Sequence, residues 1–215
     1  MDFLALPMPA LLQGLAVTLL LGLVSFVLGS GLGTLVALAR ISAFLPLRLA
    51  AIGYVSVFRG TPLLIQIMLV YFGLPQLGVR IPPIPAAILT FTLYSAAYLS
   101  ENLRGGILAV DKGQWEAAHS MGMTYRRILG RIIFPQAIRT ALPAIGNRFV
   151  ALMKDTSLAS VITVVELTRV AESAGSSSFR YIEAFVVAAI GYWLINTALS
   201  LGQTALERHM GRAYA

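Results

Sequence analysis

Two long stretches without any charged residue constrain this chain more than any other feature. Residues 14–39 are 26 consecutive uncharged, mostly apolar positions, and residues 184–206 are 23 more. An α-helix rises about 1.5 Å per residue, so the first stretch makes a helix of roughly 39 Å, longer than the ~30 Å hydrocarbon core of a bilayer. Both stretches are therefore predicted to be transmembrane helices of an integral membrane protein.

The composition agrees with a membrane protein and argues against several other classes. The chain is 58% hydrophobic and 12% charged, whereas soluble domains carry about 25% charged residues. Its net charge of +7 indicates positively charged cytoplasmic loops rather than nucleic-acid binding, because the basic residues lie between apolar stretches. There is no cysteine, so disulfides, thiol chemistry and Cys-ligated metals are excluded. The two isolated histidines do not indicate a metal site.

Three further spans are predicted between these two. The second begins at Pro62, whose missing N–H suits a first helical turn, and covers 63–74. The third covers 86–100. The fourth region, 136–165, has no uninterrupted apolar run, and charges at membrane depth are costly, so a kinked or discontinuous span is predicted. The predicted fold is an all-α integral membrane protein with five transmembrane helices in one domain, 1–215.

The uneven distribution of basic residues predicts the orientation in the membrane. With the N-terminus outside, eleven basic residues lie on the cytoplasmic side and three outside. Cytoplasmic loops carry an excess of Lys and Arg, so the N-terminus is predicted outside and the C-terminus in the cytoplasm. The cytoplasmic set is Arg40, Arg48, Arg59, Arg104, Lys112, Arg126, Arg127, Arg131, Arg139, Arg208 and Arg212. The outer set is Arg80, Arg169 and Arg180.

The longest polar interruption, 111–135, is predicted to be a pair of short helices at the cytoplasmic surface. Asp111 is a candidate N-cap of the first helix, with Gln114 as its capping-box partner. Gly122 can end that helix in a left-handed conformation, and Thr124 can cap the second helix.

Short segments of the sequence carry a resemblance to a known family. Glu116, Ala117 and Ala118, with Gly122 six residues after the glutamate and Pro135 closing an Ile-x-x-Pro pattern, resemble the EAA motif of the membrane subunits of ATP-binding-cassette (ABC) importers. Phe134 stands where that motif expects leucine. Three segments in order resemble the polar amino acid permeases of this superfamily, above all the cystine and glutamine types. These are RGTP at 59–62, KGQWEAA at 112–118 and KDTSL at 154–158.

The resemblance implies a type I ABC importer fold in the bacterial inner membrane. It implies a second copy or a homologous permease subunit, two cytoplasmic ABC ATPase subunits, and an extracytoplasmic amino-acid-binding protein. ATP and Mg are expected in the ATPase subunits, because this chain lacks the GxxxxGK[ST] phosphate-binding pattern. The chain itself is expected to hold no cofactor. The short helices are expected to be coupling helices that dock on the ATPase. The coupling residues so assigned are Glu116, Ala117, Ala118, Gly122, Arg126 and Arg127.

Polar residues within the spans are candidates for the substrate pathway, and structural roles compete with that interpretation. Glu101 and Arg104 are i, i+3 neighbours that can form an ion pair or contribute to an inner gate. Lys154, Asp155 and Thr156 can hold the fourth span together or contact the zwitterion of an amino acid. The pathway candidates are Gln66, Tyr98, Glu101, Asn147, Lys154, Asp155 and Thr156.

A few other positions keep two alternatives. Arg126, Arg127 and Arg131 can contact either an ATPase or anionic lipid. Arg148, like its neighbours, can have a structural role or can face the substrate. Glu166 can cap a short helix or line an outer vestibule.

A stripe of small residues on the first span predicts close packing of helices. Ser25, Gly29 and Gly33 allow close approach of another helix, either within the chain or in a dimer.

An ATPase-independent secondary transporter or channel is the alternative function, because broken helices near the midplane occur there too. The chain has no internal repeat, which argues against that alternative. No catalytic constellation is present, so the chain is predicted not to be an enzyme.

Overall fold

The uncharged stretches form the longest helices of the computed structural model, which describes residues 8–212 and, for 209–212, the backbone alone. This part of the chain contains nine α-helices and no β-strand. The helices are α1 Met8–Arg40, α2 Leu45–Gly60, α3 Leu63–Met68, α4 Pro83–Ala109, α5 Lys112–Ser120, α6 Tyr125–Ile128, α7 Phe134–Asp155, α8 Leu167–Ser178 and α9 Tyr181–Arg212.

Three of the helices continue into irregular helical turns. The π-helical turn Leu69–Gly73 and the 3₁₀ turn Leu74–Leu77 extend α3, and the π-helical turn Leu129–Ile133 joins α6 to α7. The 3₁₀ segment Thr156–Ile162 follows α7. Such π-helical turns are uncommon and occur often near functional sites; here one of them joins the predicted coupling helices to a long helix.

The described residues include three helices that are long and apolar enough to cross a membrane, namely α1, α4 and α9. Helix α2 and the segment Leu63–Leu77, which contains α3, form a pair that is bent by 104°. This pair adds a fourth crossing if it is one span. Pro62 lies at this bend, directly before α3. The all-α membrane fold is confirmed, whereas the count of five stays a prediction because α7 is not among the apolar helices.

The predicted interruption of the fourth region is present, and it lies near the end of that region. Helix α7 runs without a break through Pro143 to Asp155. The chain then passes through the 3₁₀ segment to Thr163, which has a left-handed φ of 68°. The side chains of Ala159 and Ile162 are fully buried, so protein covers this irregular backbone, as membrane depth requires.

The small-residue stripe of α1 packs within the chain, against α4. A Cβ added to Gly29 would lie 2.9 Å from the Cβ of Ser95, and one added to Gly33 would lie 3.0 Å from the carbonyl oxygen of Ala96. Ser25 is fully buried on the same helix. Side chains larger than hydrogen at these glycines would push the helices apart, so the intramolecular alternative is confirmed.

Apolar side chains of several helices form the core. The largest cluster joins α1, α3, α4 and α7 and includes Ile67, Phe91 and Leu152, all fully buried. A second cluster holds α8 between α1 and α9. On the outside, α9 presents exposed apolar side chains such as Trp193 and Leu194, and this outward apolar face fits contact with lipid.

Glu166 fixes the start of α8. Its carboxylate accepts hydrogen bonds from the backbone N–H groups of Thr168 at 2.9 Å and Arg169 at 2.8 Å. The hydroxyl of Tyr192 in α9 donates to the same carboxylate at 2.6 Å. Since Glu166 is fully buried, it caps α8 and fastens it to α9. The capping alternative is therefore confirmed.

Candidate functional site

The polar interruption folds into α5 and α6, which are joined by a tight turn. The carboxylate of Asp111 accepts a hydrogen bond from the backbone N–H of Gly113 at 2.7 Å, which caps α5. Gly122 follows α5 with a φ of 74°, in the left-handed region that glycine adopts without steric cost. The predicted N-cap and the predicted glycine turn are both confirmed.

One predicted detail of the capping is wrong, and a second is confirmed in position only. Gln114 does not complete a capping box; its side-chain oxygen lies 3.5 Å from the amide nitrogen of Gln136 at the start of α7. Thr124 occupies the N-cap position of α6, but its side chain forms no hydrogen bond to that helix. A helix of one turn depends on packing rather than on its cap, and the fully buried Ile128 supplies that packing.

Buried apolar side chains attach this helix pair to the ends of two long helices. Ile128 and Ile133 are fully buried, and Ala118 is 2% exposed. They form one cluster with Ile107 and Val110 at the end of α4, and this cluster also reaches the first turns of α7. Close-packed interiors transmit displacement rather than absorb it. The α5–α6 pair is therefore expected to move together with the adjoining ends of α4 and α7.

The residues predicted to couple to an ATPase lie mostly on the outer face of the helix pair. Glu116, Ala117, Gly122, Arg126 and Arg127 are exposed. Within the part of the chain that the structure describes, the charged groups of Glu116, Arg126 and Arg127 form no ion pair. They are therefore available to a partner. The sixth predicted coupling residue is the buried Ala118, so it anchors the pair instead of facing outwards.

The tip of the helix pair also carries an apolar side chain that the sequence analysis did not single out. Met121 is 81% exposed, directly before the glycine turn. Tyr125 is exposed as well, and its ring stacks on that of Trp115 with 5.7 Å between centroids. A single methionine between Ser120 and Gly122 has no periodic signal in the sequence, so only the folded turn reveals its exposure.

Glu101 is the centre of a second set of polar contacts, among the long helices. Its carboxylate is paired with Arg40 of α1 and with Arg104, whose Nε lies 2.9 Å from Oε1. A guanidinium nitrogen of Arg59 in α2 lies 3.6 Å from Oε2. The predicted pairing of Glu101 with Arg104 is confirmed. Three cations from three helices surround one carboxylate, which ties these helices together.

A second ion pair lies on α7 and contacts α4. A guanidinium nitrogen of Arg148 lies 2.7 Å from a carboxylate oxygen of Asp155. The Arg148 guanidinium lies 4.8 Å from the ring centroid of Tyr94 and 5.0 Å from that of Tyr98. The guanidinium of Arg59 lies 5.1 Å from the Tyr98 ring. These distances are those of cation–π contacts, and Tyr98 therefore connects the two ion pairs.

We call this set of connected side chains the polar cluster. Its members are Arg40, Arg59, Tyr94, Tyr98, Glu101, Arg104, Arg148 and Asp155. The cluster contains four guanidinium groups and two carboxylates, so it carries an excess of positive charge. It can therefore interact with a group that has a negative charge.

The structure brings only some of the predicted pathway residues into the cluster. Gln66 is buried, and its amide donates to the backbone at the bend between α2 and α3. The hydroxyl of the buried Thr156 bonds to a backbone carbonyl three residues earlier. Asn147 bonds to a side chain of α9 at 3.2 Å, and Lys154 is exposed. The pathway candidates within the cluster are Tyr98, Glu101 and Asp155.

Several members of the cluster were not predicted to meet. Arg40 and Glu101 are 61 residues apart in the chain, and no local spacing indicates that they pair. Arg148 contacts Tyr94 through the packing of α7 on α4, which helix periodicity alone does not specify. The only sequence signal was the presence of basic residues that bracket apolar segments.

The fold and these two sites define a class of protein: an all-α integral membrane protein with an exposed pair of short helices at one end and charged groups among its long helices. A family model described as "Binding-protein-dependent transport system inner membrane component" matches residues 29–212. The chain belongs to this family.

Individual relatives agree with the family. The chain is 43% identical to the L-cystine transport system permease protein TcyB of Bacillus subtilis (strain 168), covering 96% of this chain and 89% of the relative. It is 41% identical to the arginine transport system permease protein ArtQ of the same organism, covering 94% and 93%. A chain from the crystal structure of an amino acid ABC transporter with histidines superposes with a TM-score of 0.92 at 39% identity, covering 97% and 99%. The predicted resemblance to ABC importer permeases is confirmed.

Proposed function

We propose that this chain is the transmembrane subunit of an ATP-driven importer that carries a polar amino acid across the bacterial inner membrane by alternating access. Its partners are a second copy or a homologous permease, two ATPase subunits that bind ATP and Mg, and an extracytoplasmic amino-acid-binding protein. The proposal is supported by the family and by relatives named for cystine and arginine transport.

One observation carries the proposal: the exposed α5–α6 pair packs on α4 and α7, which are two of the four helices that bear the polar cluster. Ile128 and Ile133 bury the pair against the end of α4 and the start of α7. The same helices carry Glu101 on α4 and the Arg148–Asp155 pair on α7. A displacement of α5–α6 by an ATPase therefore reaches both parts of the cluster without passing through a flexible loop.

The polar cluster suits the moving part of the pathway. Arg40 and Arg59 come from α1 and α2, whereas Glu101 belongs to α4. Because α4 packs closely on α1, the shift that we propose moves α1, α4 and α7 together relative to α2, and it separates or joins Arg59 and Glu101. Interfaces of this kind have discrete arrangements rather than a continuum. Two alternative arrangements of the cluster would then correspond to two accessible states of the pathway.

The other pathway candidates also receive roles in this proposal. We place Tyr98 and Asp155 in contact with the substrate and Asn147 and Lys154 on the exposed side of α7. Gln66 and Thr156 shape the pathway through the backbone that they hold at the two irregular segments.

The orientation that we propose places the N-terminus outside and the α5–α6 pair in the cytoplasm. The excess of basic residues on that side supports it. Exposed Arg126 and Arg127 on the helix pair are assigned to the ATPase, whereas Arg131 is left to anionic lipid.

The test is amino acid uptake into proteoliposomes that contain the permease, its ATPase and its binding protein. Uptake is expected with ATP and is expected to stop with a non-hydrolysable ATP analogue. Equal uptake without hydrolysis would instead identify an ATPase-independent secondary transporter or channel. Reversing the charge of the helix pair with Arg126→Glu and Arg127→Glu is expected to abolish only the ATP-dependent component of amino acid uptake.

A further inference from the structure

We propose that Arg148 binds the carboxylate of the transported amino acid once its ion pair with Asp155 opens to admit the substrate. The inference rests on the proposed function and deepens it, because it assigns the two charged groups of the substrate to two side chains of α7. The substrate class that follows is α-amino acids with a free carboxylate, as opposed to amines and amino acid amides.

The position of Arg148 is the first argument. Its side chain is 10% exposed, and one guanidinium nitrogen lies 2.7 Å from the carboxylate of Asp155. The rings of Tyr94 and Tyr98 lie 4.8 Å and 5.0 Å from the guanidinium carbon. A carboxylate with two aromatic faces beside it is also a suitable environment for an ammonium group. Arg148 therefore occupies the place that the ammonium group of an amino acid would take.

Unused hydrogen-bonding capacity of Arg148 is the second argument. The Nε–H of Arg148 is buried and has no hydrogen-bond partner among the residues that the structure describes. Asp155 engages a single terminal nitrogen, although a guanidinium carries five N–H donors. Its planar fork matches a carboxylate through two parallel hydrogen bonds. The buried free donor is thus an available half of a bidentate carboxylate site.

Charge conservation is the third argument. A zwitterion that enters between Arg148 and Asp155 replaces one ion pair with two: substrate ammonium with Asp155, and substrate carboxylate with Arg148. The net charge of the cluster does not change, and no buried charge loses its partner, which would be costly. An amino acid amide takes Asp155 through its ammonium group but leaves the buried Arg148 without an anion.

The other cations nearby are less suited to this role. Arg59 lies 5.1 Å from the Tyr98 ring, but its side chain is 41% exposed. Arg40 also has a buried Nε without a hydrogen-bond partner among the described residues, yet its guanidinium is held by Glu101, which Arg104 shares. Of the arginines in the polar cluster, Arg148 combines burial, a donor free of described partners and a single acid partner on its own helix.

The experiment measures amino acid binding to the purified permease–ATPase complex without the binding protein, so that selectivity comes from the permease. Radiolabelled glutamine, arginine, histidine and cystine serve as probes, and each bound probe is displaced by its free acid or by its C-terminal amide. The wild-type complex is expected to prefer the acid by about tenfold or more. In the Arg148→Gln variant, the ratio of the affinity for the free acid to that for the amide is expected to fall to about one.

Arg169→Gln is the matched control, because Arg169 forms a similar pair, 2.9 Å from Glu172, at an exposed place on α8. It is expected to retain the full preference for the acid. A full preference in Arg148→Gln would overturn the inference, while ATP-driven uptake by that complex would leave the proposed function standing. If the wild-type complex neither binds nor transports any amino acid, both the inference and the proposed function fail.

Arg148→Lys tests the same point if the glutamine variant does not assemble with the ATPase. Lysine keeps the positive charge for Asp155 but lacks the planar fork, so the preference for the acid is expected to drop several-fold. An unchanged preference in the lysine variant would contradict bidentate binding by Arg148.

Discussion

Glu101 holds three arginines that reach it from different parts of the chain. Arg40 and Arg59 arrive from α1 and α2, and Arg104 lies one turn further along α4. The pairing of Glu101 with Arg104 was predictable, because residues three apart are neighbours on a helix. The other two contacts depend on helix packing and were not. This one carboxylate contacts cations on three helices, so its loss affects more than one contact.

Glu101→Gln is predicted to lower the free energy of unfolding by about 2–4 kcal/mol, because partly buried arginines lose their anion and repel one another. Chemical denaturation in mixed micelles measures this change. The matched control is Glu172→Gln, which removes an exposed partner of Arg169 and is expected to cost less than about 1 kcal/mol. Equal effects of the two variants would show that Glu101 is not a centre of stability.

Gly122→Asp is predicted to impair docking rather than folding. A Cβ at Gly122 would meet no atom of the described residues within 4 Å, so the cost is the left-handed backbone, about 1 kcal/mol. The added carboxylate projects into the space that we assign to the ATPase. Binding of the ATPase, measured by titration of the purified subunits, is expected to weaken about tenfold or more.

Gly78→Asp controls for the backbone strain. Gly78 has a φ of 85° and equally open surroundings, but it lies in the loop predicted on the outer side. It is expected to show the same small loss of stability and normal ATPase binding. Impaired ATPase binding in both variants would mean that strain, and not the docking surface, causes the effect.

At the scale of elements, the contact between α1 and α4 shows what sequence patterns reveal and what they omit. The uncharged stretch 14–39 predicted a spanning helix, and Ser25, Gly29 and Gly33 predicted a face for close packing. The pattern did not specify the partner, because a small-residue stripe fits a helix of the same chain and a helix of another chain equally well. In the structure Gly29 packs on Ser95 of α4, so the partner helix belongs to the same subunit.

Gly29→Val is predicted to destabilise the subunit by about 1–3 kcal/mol, because its side chain would be forced into the backbone and Ser95 of α4. Gly31→Val is the matched control two residues away on the same helix. Within the described part of the chain, no atom lies within 4 Å of a Cβ at Gly31, so this variant is expected to change stability little. Thermal unfolding in detergent compares the two. Equal melting temperatures would contradict the close approach of α1 and α4.

The interruption after α7 illustrates a second limit of the sequence. Charged residues and Pro143 indicated that the fourth region is broken, but α7 accommodates Pro143 and continues to Asp155. The break falls at the 3₁₀ segment, where Ile162 is fully buried by the surrounding helices. Local propensity identifies weak points of a helix, and tertiary packing decides which of them becomes an interruption.

In the whole molecule, the exposed α5–α6 pair and the polar cluster are connected through α4 and α7. The helix pair of 111–135 and its glycine turn were predictable because their sequence signals are local. The polar cluster was predictable only in part, since its eight members come from four helices, α1, α2, α4 and α7, and meet through the packing of those helices. The central claim is that motion of the α5–α6 pair reaches this cluster and drives transport.

The ratio of ATP hydrolysed to amino acid transported, measured in proteoliposomes with the Glu116→Lys permease, tests that claim most directly. Glu116 is exposed on α5, so the reversed charge is expected to leave the subunit folded and to disturb only the contact with the ATPase. Glu172→Lys, which reverses an exposed charge on α8, is the control. The account predicts that Glu116→Lys raises the ratio at least about tenfold, since hydrolysis continues while uptake stops, and that Glu172→Lys keeps the wild-type ratio. A wild-type ratio in Glu116→Lys would contradict the account.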